Sequence, residues 1–144
     1  MVKSQLDLIV KKVKLLSTYR KEFLRDISEF IVEVNPTDIV LATDFNESID
    51  SKAIKQFMIE NGLHECHSYT NEVELSNRDP TDTIGCKCID AVMVISSIIE
   101  IIDGCKMVNF NKIITLDHRG CILDLNLSDY FNLNSFKIDC AKIS

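Results

Sequence analysis

Three polar sites in the sequence carry residue types that could act on a phosphate ester, and each interrupts or ends an apolar run. The sites are Asp44 with Asn46, Asp90, and Asp117 with His118. Carboxylates in such surroundings are costly unless they meet a cation or hydrogen-bond donors. If strand ends bring them together, the carboxylates could hold a divalent metal while His118 contacts a phosphate or transfers a proton. The alternative is that all of them are ordinary turn residues.

Several elements that must position these residues can be predicted from apolar periodicity and from helix and turn signals. We expect a helix over 2–34, a strand at 39–42, a helix over 51–61 ended by Gly62, a strand over 89–95, a turn at 115–120 and a strand over 121–127. Continuous apolarity predicts that the strand at 39–42 is buried on both faces. Asp90 then interrupts the start of a buried strand and needs a partner.

Other segments give weaker signals. The polar stretch 64–87 predicts a long loop without a helix. Residues 98–105 and 107–114 fit helix or strand equally well, and 128–144 has no usable signal. The basic residues of the first helix are interpreted as a solvated helix face.

Composition predicts one globular domain, with 144 residues of which 46% are apolar and 26% charged. A core of that size needs no disulfide, so we interpret the six cysteines as free and mostly buried thiols. No secretory signal or membrane-spanning run is visible, which predicts an intracellular protein, cytoplasmic or nuclear. The formal charge of -6 argues against a broad electrostatic grip on nucleic acid but leaves room for a local basic patch.

The order of the three sites and the residues around each of them resemble the endonuclease/exonuclease/phosphatase (DNase I-like) superfamily, over residues 36–125. Its Gly-Asp-Phe-Asn motif is matched by Thr43–Asn46, its Ile-Asp-Tyr motif by Ile89–Ala91, and its Ser-Asp-His motif by Leu116–His118. The stretch Pro80–Thr83 is similar to the family's threonine-bearing loop. Each motif alone is weak, whereas three in order are fairly specific.

The resemblance implies a layered α/β fold: part of a DNase I-like four-layer sandwich, one sheet with flanking helices. It implies a helical segment 1–35, the C-terminal half of the family domain at 36–127, and a tail at 128–144. It also implies roles for single residues. Asp44 would orient or deprotonate water, Asn46 would hold a phosphate oxygen, Asp90 would orient His118, and Asp117 would ligate or position Mg²⁺, with Mn²⁺ as the alternative metal.

The family's N-terminal half, with an early Asn and a metal-binding Glu, has no counterpart in the sequence. The resemblance therefore implies a phosphodiesterase whose site is incomplete in this chain and is completed by an N-terminal segment, a second chain or self-association. The short spacing of the last two motifs looks most like retrotransposon-type and plant nuclease-like members, which favours nucleic acid over inositol phosphate or lipid as substrate. The alternative is an inactive remnant of a mobile-element endonuclease, or a binding module.

A zinc site is the competing metal hypothesis. Cys86 and Cys88 with His64 or His67 could supply ligands, but a Cys-x-Cys pair lacks the usual two-residue gap and has no second pair at finger-like spacing. The two histidines are interpreted as solvated loop residues. No local signature supports a Cys-His nucleophile pair.

Overall fold

The structure is a computed structural model that describes the backbone of residues 2–82, 87–110 and 117–131, with side chains from residue 18 onward. Its elements in chain order are α1 (Val2–Val34), β1 (Val40–Asp44), α2 (Lys52–Asn61), β2 (Leu63–Glu65), α3 (Cys66–Asn71), a 3₁₀ turn (Leu75–Asn77), β3 (Asp90–Ile95), α4 (Ser96–Ile99), β4 (Ile102–Met107), β5 (Cys121–Leu125) and α5 (Leu127–Tyr130). Together they form a mixed α/β fold with small antiparallel sheets and helices.

The described strands form two sheets, where the family resemblance implied one. The first has the order β1-β3-β2, and the second pairs β4 with β5. Both edges of β3 are hydrogen-bonded, to β1 on one side and to β2 on the other. The later strands therefore pair with each other and meet β3 through side chains, so the expectation of a single sheet was wrong.

Central strand β3 supplies residues to two cores because alternate side chains of a strand point to opposite faces. Met93 packs into a first core with α2, and Val94 into a second core with α4 and β4. The first core comprises Phe45, Ile49, Ile54, Phe57, Leu63, Cys88, Ala91 and Met93. The second comprises Cys66, Val94, Ile98, Ile99 and Cys105. A strand buried on both faces is what the apolar run at 89–95 predicted.

Strand β1 forms where the run at 39–42 predicted it, but it is not buried on both faces. Val40 is 51% exposed and Ala42 is also exposed, whereas Leu41 packs against the first core. The reason is position, because β1 is an edge strand whose alternate residues face away from the core. Apolarity alone could not distinguish this edge strand from the central one.

Both predicted helices are confirmed, and their ends have physical causes. Helix α1 stops before Asn35, which adopts a positive φ of 43° just before a proline. Helix α2 begins after Ser51, whose side chain accepts a hydrogen bond from a first-turn amide, and ends at Gly62 with φ 62°. The second half of α1 packs Leu24 and Ile27 against the first core.

The segment 64–87, predicted as a loop without a helix, contains β2, α3 and the 3₁₀ turn in its described part. Glu65 explains how so polar a stretch becomes ordered. Its carboxylate accepts hydrogen bonds from the backbone amides of His67 (3.4 Å) and Ser68 (2.7 Å), which caps α3. The same carboxylate forms a buried ion pair with Arg78. The loop prediction was wrong because these long-range contacts leave no periodic trace in the sequence.

The C-terminal part resolves the earlier ambiguity at 98–105, where α4 ends and β4 begins. The strand predicted at 121–127 is present as β5 and stops at Leu125. Residues 111–116 and 132–144 lie outside the described residues, so the interpretation of 107–114 and of most of the tail extends beyond them. No described helix is long and apolar enough to cross a membrane.

Candidate active site

The antiparallel register of β1 and β3 brings two of the predicted carboxylates together. Asp44 is the last residue of β1 and Asp90 the first of β3, and the two are directly paired. Directly opposed residues project to the same face of the sheet. Two carboxylates so placed repel each other unless a positive or hydrogen-bond-donating group lies between them.

His118 supplies that group. Its Nδ1 lies 2.8 Å from Asp90 Oδ2, and its Nε2 lies 4.0 Å from Asp44 Oδ2. One ligand atom from each of the three side chains lies within 4.8 Å of the other two. The side chains are 22–35% exposed, so the cluster is accessible to solvent while partly enclosed by protein.

Thr81 positions the loop that carries His118 against the start of β3. Its hydroxyl oxygen accepts hydrogen bonds from the amides of Ile89 (2.9 Å) and Asp90 (3.0 Å), and its carbonyl accepts one from the amide of Arg119 (2.7 Å). Thr81 is fully buried. A single residue therefore links the backbone of Asp90 to the backbone next to His118.

The Asp90 carboxylate also sets the protonation of His118. Its hydrogen bond with the ring raises the pKa of His118 above the ordinary 6.5, and the charges of Asp44 and Asp117 act in the same direction against partial desolvation. When Nδ1–H donates to Asp90, the ring has a fixed orientation and Nε2 is directed to the Asp44 side. The imidazole is thus arranged to hold or deliver a proton at Nε2.

Asn46 contacts Asp44 rather than standing free. Its backbone amide donates to Asp44 Oδ1 (2.7 Å), and its side-chain amide donates to Asp44 Oδ2 (3.1 Å). This fold-back requires a left-handed backbone at Asn46, with φ 49°, which asparagine tolerates better than most residues. Phe45 between them is buried against Phe57, with ring centroids 6.3 Å apart. The apolar anchor and the two polar side chains therefore form one turn.

Asp117, the predicted metal ligand, is exposed and is not a member of the three-residue cluster. Its charge still contributes to the raised pKa of His118. Among the predicted site residues, the structure thus brings together Asp44, Asn46, Asp90 and His118 and leaves Asp117 at the rim. Residue 116, the first of that motif, lies outside the described residues.

Two supporting residues were not singled out from the sequence. The family resemblance pointed to the loop at residues 80–83 but not to the Thr81 hydroxyl, whose oxygen accepts hydrogen bonds from two backbone amides. Arg119 falls in the predicted turn at 115–120, and its guanidinium donates to Asn109 Oδ1 (3.1 Å) and to the carbonyl of Pro80 (3.4 Å) while lying over the ring of Phe110. A threonine eight or nine residues before a strand gives no local signal, since the contact forms only on folding.

The zinc alternative gains no support from the described residues. Cys88 is buried and donates to the backbone oxygen of Asp90 (3.3 Å), and Cys86 lies outside the described ranges. His64 lies in β2 and contacts Ser96 Oγ (3.1 Å), whereas His67 is half-buried in α3 and burial lowers its pKa. The histidines therefore lie on regular elements rather than in the predicted loop, and neither joins a described group of three metal-ligand side chains.

The thiol interpretation agrees with the part of the chain that the structure describes. Cys66, Cys88 and Cys105 are free and buried, and Cys121 is free and exposed.

The chain matches no protein-family model and no curated protein.

Proposed function

We propose that the chain carries the catalytic residues of a metal-dependent phosphodiesterase related to the DNase I-like superfamily, acting on nucleic acid. The observation that carries the proposal is the cluster of Asp44, Asp90 and His118, which three separate motifs of the sequence had singled out. Motifs 46 and 28 residues apart have no reason to meet if they are ordinary turns. The partial DNase I-like sandwich belongs to the same proposal.

In this proposal Asp44 and His118 act together on the attacking water and on the phosphate beside it. The 4.0 Å between His118 Nε2 and Asp44 Oδ2 is short enough for one water molecule to hydrogen-bond to both. Asp44 orients or deprotonates that water, and Asn46 holds the Asp44 carboxylate in place while its amide can turn to a phosphate oxygen. Asp90 keeps the His118 ring oriented, so that Nε2 can donate to the charge that develops on phosphate.

The proposal includes a divalent cation, for which the cluster of two carboxylates and an imidazole offers suitable donor types. Asp44 and the rim residue Asp117 offer carboxylate oxygens, the ligands that Mg²⁺ prefers, and the imidazole of His118 would make Mn²⁺ an acceptable substitute. When bound, the cation would polarise the phosphoryl oxygen. The positive charge of the cation would also offset the mutual repulsion of the Asp44 and Asp90 carboxylates.

Apolar surface supports the proposal that the working form includes further protein, from an N-terminal segment, a second chain or a second copy. Phe23, Phe30 and Val32 on α1 are 45–75% exposed, and Val40 on edge strand β1 is 51% exposed. Large exposed apolar patches are typical of interfaces. An intracellular location, cytoplasmic or nuclear, remains part of the proposal.

The test is Mg²⁺-dependent nicking of supercoiled plasmid by the folded chain, with and without EDTA. His118→Ala is expected to reduce the rate by about 10²- to 10⁴-fold. His64→Ala is the matched control, because it removes an exposed imidazole that hydrogen-bonds to the hydroxyl of Ser96, and it should keep the wild-type rate. Equal loss in both variants would contradict the assignment of His118.

The alternative function is an inactive remnant of a mobile-element endonuclease, or a binding module. It predicts no nicking by folded wild-type protein with Mg²⁺ or Mn²⁺, even at high protein concentration. Retained binding of labelled DNA in that case would favour the binding module. Activity that appears only after an added N-terminal segment or partner chain would instead support the incomplete-site form of the proposal.

A further inference from the structure

Two cysteines face each other across the second sheet. Cys105 lies in β4 and Cys121 begins β5, and in the register Cys105 pairs with Leu123 while Met107 pairs with Cys121. The two cysteines are therefore diagonal neighbours on one face of the antiparallel pair. Their sulfur atoms are 3.4 Å apart, which is direct contact.

The two thiols differ in environment. Cys105 is 1% exposed within the second core, whereas Cys121 is exposed. The hydrogen bond between them lowers the pKa of Cys121, and the same bond, with burial, raises the pKa of Cys105. Either sulfur can donate when both thiols are protonated, and donation from Cys105 stabilises negative charge on Cys121. A thiolate at Cys121 would be the nucleophile and the reactive form.

We propose that Cys105 and Cys121 are a reversible oxidation site that forms an intramolecular disulfide on reaction with a hydroperoxide. A disulfide has an S–S bond of about 2.0 Å, so the sulfurs need to approach by only about 1.4 Å from their observed 3.4 Å. The paired strands hold the two residues at this separation. A transient disulfide of this kind is typical of redox-sensing sites in reducing compartments.

The chemistry balances in two steps. The Cys121 thiolate attacks one peroxide oxygen, the O–O bond breaks, and the leaving hydroxide or alkoxide takes a proton to give water or alcohol, leaving a sulfenic acid. The Cys105 sulfur then attacks the Cys121 sulfur, the S–O bond breaks, and the departing hydroxide takes the Cys105 proton as water. Two thiols are oxidised and one peroxide is reduced. An external dithiol reverses the reaction by exchange.

Oxidation at this place would act on the loop next to the candidate active site. Cys121 follows His118 by three residues, and the intervening Gly120 accepts a hydrogen bond from the amide of Val108 (2.8 Å). A disulfide would fix the first residue of β5 to β4. The backbone that carries His118 would thereby lose freedom at its C-terminal end. This inference does not depend on the proposed nuclease activity.

The test is to treat fully reduced, folded protein with hydrogen peroxide and to map the disulfides by mass spectrometry. We expect the Cys105–Cys121 disulfide as the first product, formed at least about tenfold faster than in the same protein unfolded in urea, because the folded chain holds the sulfurs in contact. Dithiothreitol should restore both thiols. Because this mapping uses wild-type protein, its result does not depend on whether a variant folds. A first disulfide between other cysteines, or an equal rate in urea, would overturn the proposal.

Variants separate the two roles. Cys105→Ser should leave a sulfenic acid on Cys121 that dimedone labels, whereas Cys121→Ser should leave Cys105 unlabelled because that thiol is buried. Cys88→Ser is the matched control, since Cys88 is also a free buried thiol but hydrogen-bonds to a backbone oxygen, and it should keep the disulfide. Circular dichroism confirms folding of each variant. Dimedone labelling at Cys105 instead of Cys121 would contradict the assigned order of attack.

Discussion

Replacement of Thr81 by valine should destabilise the protein and disturb the candidate active site together. The change keeps the volume of the side chain and removes the hydroxyl oxygen that accepts the amides of Ile89 and Asp90 at 2.9 and 3.0 Å. Thr81 is fully buried, so water cannot replace the lost acceptor. Each amide left without a partner costs about 1–3 kcal/mol. With partial relaxation, the expected loss is about 2–4 kcal/mol in the free energy of unfolding.

Urea denaturation followed by circular dichroism measures that loss. Thr81→Ser keeps the acceptor and loses one methyl group, so it should cost only about 1 kcal/mol. Thr37→Val is the matched control on an exposed threonine and should stay within about 0.5 kcal/mol of wild type. A second readout is the His118 pKa by NMR, which should fall toward 6.5 in Thr81→Val as the ring loses Asp90. Wild-type stability together with an unchanged His118 pKa would refute the role given to Thr81.

Three further predictions concern the site and the first half of the fold. Asp90→Asn should lower the pKa of His118, since the Asp90 hydrogen bond is the main cause that raises it; an NMR titration equal to wild type would contradict this. Because the folded pKa is raised, His118 contributes stability that is fully present below about pH 6.5 and is lost as pH rises through the folded pKa, and Asp90→Asn should weaken that dependence in urea melts across this range. Gly62→Ala should cost about 1–2 kcal/mol at its φ of 62°, whereas Gly104→Ala, with open space around the added atom and no positive φ, should not. Ser51→Ala should cost about 1 kcal/mol by removing the cap of α2, and an unchanged melting curve would show that the cap is not needed.

The sequence predicts helices and central strands here because their signals are local. The end of α2 follows from a glycine after the last turn, and the structure gives Gly62 that role, whereas Ser51, predicted as the first helical residue, is the cap that precedes the helix. The run at 89–95 predicts β3 because burial on both faces favours a continuous apolar stretch, which here follows Asp90. Position within the sheet is not local, which is why the similar run at 39–42 was wrongly assigned to the interior although its strand is confirmed.

The sequence did not predict β2 and α3, which are ordered by a single side chain rather than by a periodic apolar pattern. Helix α3 has six residues, and only Cys66 among them is fully buried. Its start depends on Glu65, a buried carboxylate that caps the helix and pairs with Arg78 thirteen residues later. A buried charge pair contributes through its specific partner rather than through a pattern of residue types. No reading of hydrophobic spacing could have located that helix.

The residues of the candidate site could be predicted from the sequence, but their relative positions could not, because those positions depend on the register of β1 and β3. A slip of one residue between β1 and β3 would place Asp44 opposite a neighbour of Asp90 and turn one of the two carboxylates to the other face. Backbone hydrogen bonds just beyond the strand end oppose that slip, from the amide of Phe45 to the carbonyl of Ile89 (2.9 Å) and from the amide of Ile49 to the carbonyl of Cys88 (3.0 Å). Both donors belong to buried apolar residues. The polar cluster therefore depends on apolar anchors beside it, and mutations that loosen those anchors would separate the carboxylates without touching either one.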